Sequence, residues 1–122
     1  MNVFDASALL CFVQDERGSK VVERELGSIR GACSAANWSE LAQKVRSRGH
    51  DWGLVSGLLL SYPLTIEPVT RADAEAAAAL WRHGSGLSLA DRLCIATGHR
   101  LNATIWTADT AWGRKSPIRQ VR

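Results

Sequence analysis

Residues 87–112 read L-S-L-A-D-R-L-C-I-A-T-G-H-R-L-N-A-T-I-W-T-A-D-T-A-W, and the hydrophobic period changes partway along. Ser88 is placed to cap a helix over 89–100, in which Ala90, Leu93, Cys94, Thr97 and Leu101 recur at the spacing of one buried face. Ala103, Thr104, Ile105 and Trp106 then make a short run rich in strand formers. A helix leading directly into a short apolar strand is the repeating half of a parallel sheet covered on both faces.

The alternation extends upstream. Val3 and Phe4 predict a first buried strand, followed by a helix over 6–13 with Leu9, Leu10 and Val13 on one side. A helix is expected over 20–26, capped by Ser19 and stopped by Gly27, and then a strand over 29–34. Trp38, Leu41, Ala42 and Val45 mark an amphipathic helix ending at Gly49. A helix over 52–60, weakened by Gly53 and Gly57, halts before Pro63, and Leu64, Thr65 and Ile66 give a third strand. An alanine-rich helix is expected over 73–82, and a last edge strand over 118–121. No repeat or linker divides the 122 residues, so they read as a single domain. The expected fold is a three-layer α/β/α sandwich around a central parallel sheet.

Composition narrows the class. With 46% apolar and 22% charged residues the chain has the makeup of a folded soluble domain. No apolar run approaches the roughly 20 residues that span a bilayer, so no membrane role is expected. There is no basic leader, and Asp5 interrupts the apolar start, so no signal peptide is expected either. Cys11, Cys33 and Cys94 are odd in number and lack zinc spacing, which suits buried, reduced thiols in a cytoplasmic protein. The formal charge of +3 is unevenly spread: after residue 98 there are five basic groups, Arg100, Arg114, Lys115, Arg119 and Arg122, against only Asp109. A basic end beside an acidic site suits a polyanionic substrate, although a solvated tail explains it equally well.

Four carboxylates carry the chemical signal: Asp5 in V-F-D-A-S, Glu40 in N-W-S-E-L, Asp91 in L-S-L-A-D-R and Asp109 in W-T-A-D-T. Each alone has an ordinary explanation. Asp5 suits a helix cap, Glu40 a surface pair with Lys44, Asp91 a capping box with Ser88, and Asp109 a turn or the cap of a short helix through Trp112. Together they follow strands or open helices that start at the strands' carboxyl edge, where parallel sheets bind ligands. Acids gathered without bases repel one another unless a cation neutralises them. Oxygen donors without His or Cys favour Mg²⁺ or Mn²⁺, and such ions suit phosphodiester hydrolysis. His50, His83 and His99 read as surface or packing residues.

The segments D-A-S-A-L-L, S-A-A-N-W-S-E-L, L-S-L-A-D-R-L-C-I-A-T-G and T-A-D-T-A-W, in that order along nearly the whole chain, resemble the signature segments of PIN-domain proteins. The likeness is closest to VapC toxins of type II toxin–antitoxin pairs. It implies the same parallel α/β/α fold and a metal-dependent endoribonuclease that cuts RNA with a metal-activated water. It places Asp5, Glu40, Asp91 and Asp109 as Mg²⁺ or Mn²⁺ ligands, with Ser7 and Thr107 supporting them. It further implies a homodimer restrained by a VapB-type antitoxin. Arg92, Arg114 and Lys115 are candidate RNA contacts. The alternatives are a non-catalytic PIN-like module that binds RNA or protein, and a receiver-like phosphoacceptor domain. The latter needs paired acids after the first strand, and Asp5 has no acidic neighbour.

Overall fold

The computed structural model describes residues 1–122. Five parallel strands form one sheet: β1 (Asn2–Phe4), β2 (Gly31–Ser34), β3 (Leu64–Glu67), β4 (Thr104–Thr107) and β5 (Ile118–Gln120), ordered β3-β2-β1-β4-β5. Six helices connect them: α1 (Ala6–Val13), α2 (Ser19–Ser28), α3 (Ala35–Ser47), α4 (Trp52–Leu60), α5 (Arg71–Ala79) and α6 (Leu89–Arg100). The expected three-layer architecture is the one observed. No helix is long and apolar enough to cross a membrane.

Side chains alternate across the pleat and build a core on each face. Phe4, Cys33, Leu64 and Trp106 point to the layer of α1–α4, meeting Leu9, Leu26, Leu41 and Leu59. Val3, Ala32 and Ile105 point the other way, against Cys94 and Ile95 of α6. Gly98 lets α6 lie directly on β4, because a Cβ there would run into the Ile105 side chain. All three cysteines are buried and free.

Helix ends explain where the boundaries differ from expectation. The alanine-rich helix starts earlier than 73 because Thr70 caps it, with Asp73 returning a bond to the Thr70 N–H. Asp73 is thus the third helical residue, and α5 stops at Ala79. Arg100 then holds the buried Asp73 carboxylate at 2.9 Å and reaches Glu67 at 3.4 Å, fastening α5 and the end of β3 to the last turn of α6. Gly18, at φ 101°, caps α2 in place of Ser19, and a Cβ there would lie 2.8 Å from the Val121 carbonyl oxygen. Ser19 is the first helical residue, its hydroxyl donating to Asp15. Ile29 and Arg30 are exposed and precede β2 rather than joining it.

Candidate active site

The strand order reverses direction at β1. The chain leaves it through α1 and α2 to β2 on one side and returns much later as β4 on the other. The crevice beyond the carboxyl ends of β1 and β4 is the topological switch point. Asp5 stands there, 3% exposed, its N–H donating to the Trp106 carbonyl and its Oδ1 capping α1 through the Ala8 N–H at 2.8 Å. Ser7 Oγ lies 2.8 and 2.9 Å from the two Asp5 oxygens, and Thr107 Oγ1 donates to Oδ2 at 2.6 Å. Burial pushes the Asp5 carboxyl up to about 6; the Thr107, Ala8 and Ser7 bonds oppose this, and the Asp91 charge adds to it.

Thr107 also accepts the Asp109 N–H at 3.0 Å, so one buried hydroxyl joins both acids on this side of the crevice. Asp109 caps a short 3₁₀ turn, Thr110–Trp112, through its Oδ1 and the Ala111 N–H. Asp91 is the third residue of α6, and its Oδ2 accepts the Ser88 N–H at 2.9 Å in a complete capping box. Glu40, in the second turn of α3, accepts the Asn37 Nδ2–H at 2.9 Å through Oε1. The ordinary capping readings of Asp5, Asp91 and Asp109 are therefore all correct as local structure. The pair of Glu40 with Lys44 does not form.

Those local roles leave room for another. Glu40, Asp91 and Asp109 each use one carboxylate oxygen and keep the other without a protein partner. No Lys, Arg or His forms a salt bridge with any of the four acids, although six other carboxylates on the chain are paired. Burial drives the Cys94 thiol far above its ordinary value, and the charges of Asp5, Asp91 and Glu40 push it the same way. An all-oxygen donor set with a buried Asp5 that has no basic partner fits a hard divalent cation. As the side chains stand, however, no three of them gather into a set able to hold a metal ion.

The candidate RNA contacts scatter. Arg92 turns inward, donating from Nη1 to the Ala77 carbonyl, with its Nε buried and unpartnered. Arg114 and Lys115 are exposed on the segment between the 3₁₀ turn and β5, and Arg114 donates to the Arg122 carbonyl. Two positioning residues escape the sequence reading. Asn37, fully buried, donates to Glu40 and at 3.4 Å to the Ala90 carbonyl, while its Oδ1 accepts the Ser34 hydroxyl. Its spacing to Glu40, three residues on one helix, was the available signal. Gln120 donates from Nε2 to the carbonyls of Asp109 and Gly113, both at 2.9 Å, and no local pattern announces that contact.

Fold and crevice define a class, a parallel α/β/α protein with the buried Asp5 at its switch point and no basic partner for it. The sequence profile of the PIN domain matches residues 3–116. The chain belongs to the PIN-domain family. No curated protein sequence is significantly similar to it. Among solved structures, it is similar to a toxin–antitoxin complex from Klebsiella pneumoniae, at TM-score 0.79 and 20% identity, covering 100% of this chain and 98% of that one. It is also similar to VapC20 of Mycobacterium tuberculosis, described as a sarcin-ricin loop cleaving toxin, at TM-score 0.69 and 17% identity over 88% of both chains. A third is VapBC2 of Rickettsia felis bound to a promoter DNA fragment, at TM-score 0.67 and 14% identity, covering 98% and 97%. At these identities the likeness establishes the fold.

Proposed function

We propose that this protein is a divalent-metal-dependent endoribonuclease, the toxin of a type II VapBC pair. Asp5, Glu40, Asp91 and Asp109 would hold Mg²⁺ or Mn²⁺. The observation that carries the proposal is that none of the four acids has a basic partner, with Asp5 at the switch point pushed up to about 6 by burial beside Asp91. The cation, when bound, supplies Lewis acidity toward a phosphoryl oxygen and toward water. Ser7 and Thr107 fix the Asp5 carboxylate, and Asn37 ties Glu40 to the first turn of α6, which carries Asp91. The toxin–antitoxin assemblies among the structural neighbours support a VapB-type antitoxin as partner. A homodimer acting in the cytoplasm completes the reading by family analogy.

The rival reading is a non-catalytic PIN-like module. The observation on its side is that the acids do not gather around one point. RNA cleavage separates the two. With Mg²⁺ or Mn²⁺ the purified protein cuts RNA, EDTA stops it, and Asp5→Asn or Asp91→Asn abolishes cleavage while the far-ultraviolet circular dichroism stays the same. Cleavage retained in both folded variants rejects the assignment of these acids.

A further inference from the structure

We infer that Arg24, Arg114 and Arg119 form a phosphate-binding subsite for the RNA backbone, separate from the acidic crevice; the inference rests on the ribonuclease reading. The three line one cavity of about 440 Å³ between α2 and the β5 edge, with Val21, Trp106, Ser116, Ile118 and Gln120. None of these wall residues is acidic. Arg119 has no hydrogen-bond or ion-pair partner in the protein, Arg24 contacts Glu25 only through Nε, and Arg114 meets only the Arg122 carbonyl.

Three like charges facing one concavity repel, and the same concavity focuses their field on an anion. Guanidinium groups match phosphate oxygens in a two-pronged geometry that a single ammonium lacks. Trp106 is no stacking platform, since its ring is buried and its indole N–H donates to Asn2 Oδ1 at 3.0 Å. The cavity therefore offers three guanidinium charges to a backbone and no aromatic face on which a base could stack. Gln120 belongs both to this wall and to the support of the Asp109 carbonyl, so the cavity and the Asp109 turn are braced by one side chain. A phosphodiester chain is the ligand that engages both: one phosphate at the acids, another part of the strand at the arginines.

The test is the binding of a fluorescein-labelled single-stranded oligoribonucleotide in EDTA, followed by anisotropy across a series of KCl concentrations. Arg24→Gln and Arg119→Gln each weaken binding several-fold and flatten the dependence of log K on log salt by roughly 0.7 per lost phosphate contact. Arg46→Gln, an exposed charge on α3, changes neither. Unaltered affinity and slope in both cavity variants overturn the inference, as does failure of the unsubstituted protein to bind RNA, or arginine-dependent binding of polyglutamate in place of RNA. Cleavage of the same RNA with Mn²⁺ by unsubstituted protein decides the ribonuclease reading independently: cleavage that survives with unchanged salt slopes rejects the subsite alone.

Discussion

Thr107 Oγ1 donates a 2.6 Å hydrogen bond to Asp5 Oδ2, joining the last residue of β4 to the residue that follows β1, its parallel neighbour. The hydroxyl is fully buried, and it accepts the Asp109 N–H in the same arrangement. Few single contacts in the fold connect so much of the proposed site.

Thr107→Val keeps the shape of the side chain and removes that donor. The variant is expected to lose about 1–3 kcal/mol of stability where Asp5 is ionised, the cost of stripping a hydrogen bond from a buried charge. The Asp5 carboxyl, already at about 6, rises further. Denaturant unfolding and carboxyl-carbon NMR titration measure the two effects. An unchanged Asp5 titration would show that the hydroxyl does not hold the charge.

The raised Asp5 value sets a direction for stability against pH in metal-free protein. A folded carboxyl near 6 against 3.8 unfolded means that the native state binds the proton more tightly. Its stabilising effect is complete below the unfolded value and is lost as pH rises through about 6, costing about 3 kcal/mol above that by linkage. Asp73 acts oppositely and at lower pH. Burial pushes it up, but the Arg100 and Thr70 bonds outweigh burial, so its contribution disappears as pH falls below the ordinary carboxylate range. Asp5→Asn should therefore flatten the decline between about pH 4 and 7 and raise the unfolding midpoint at neutral pH. Thermal unfolding in EDTA across that window is the measurement; a decline that persists in the variant assigns it elsewhere.

Asn37→Ala removes the group that links Glu40 to the α6 backbone one residue before Asp91. Groups that orient metal-binding side chains typically matter by about 10–100-fold, so Mn²⁺ affinity and RNA cleavage should both fall by such a factor. Because the side chain is fully buried, a stability loss of about 1–3 kcal/mol should accompany it. Calorimetric Mn²⁺ titration at a temperature where the variant is folded separates the two. Equal Mn²⁺ affinity in variant and parent would make Asn37 purely structural.

Much of the fold is legible in the amino-acid sequence. Helical and strand periods alternated clearly enough around Cys94, Ile105 and Trp106 to give the layers, because both cores are built from short-range repeats of apolar residues. Helix ends were less legible. Thr70 sits outside the alanine run it caps, so the start of α5 was hidden behind Asp73. The acids were visible, but their local duties and their freedom from basic partners depend on contacts between distant segments. Gln120 and the arginine-lined cavity were invisible for the same reason: Arg24 and Arg119 are 95 residues apart and line one cavity only across the edge of the sheet.

The central claim is that these acids form a divalent-cation site, and a titration with Mn²⁺ followed by electron paramagnetic resonance at neutral pH tests it most directly. Saturable binding of one or two ions is predicted for the unsubstituted protein, with loss of binding in both Asp5→Asn and Asp91→Asn. Absence of saturable binding, or binding that survives both substitutions, would contradict the account.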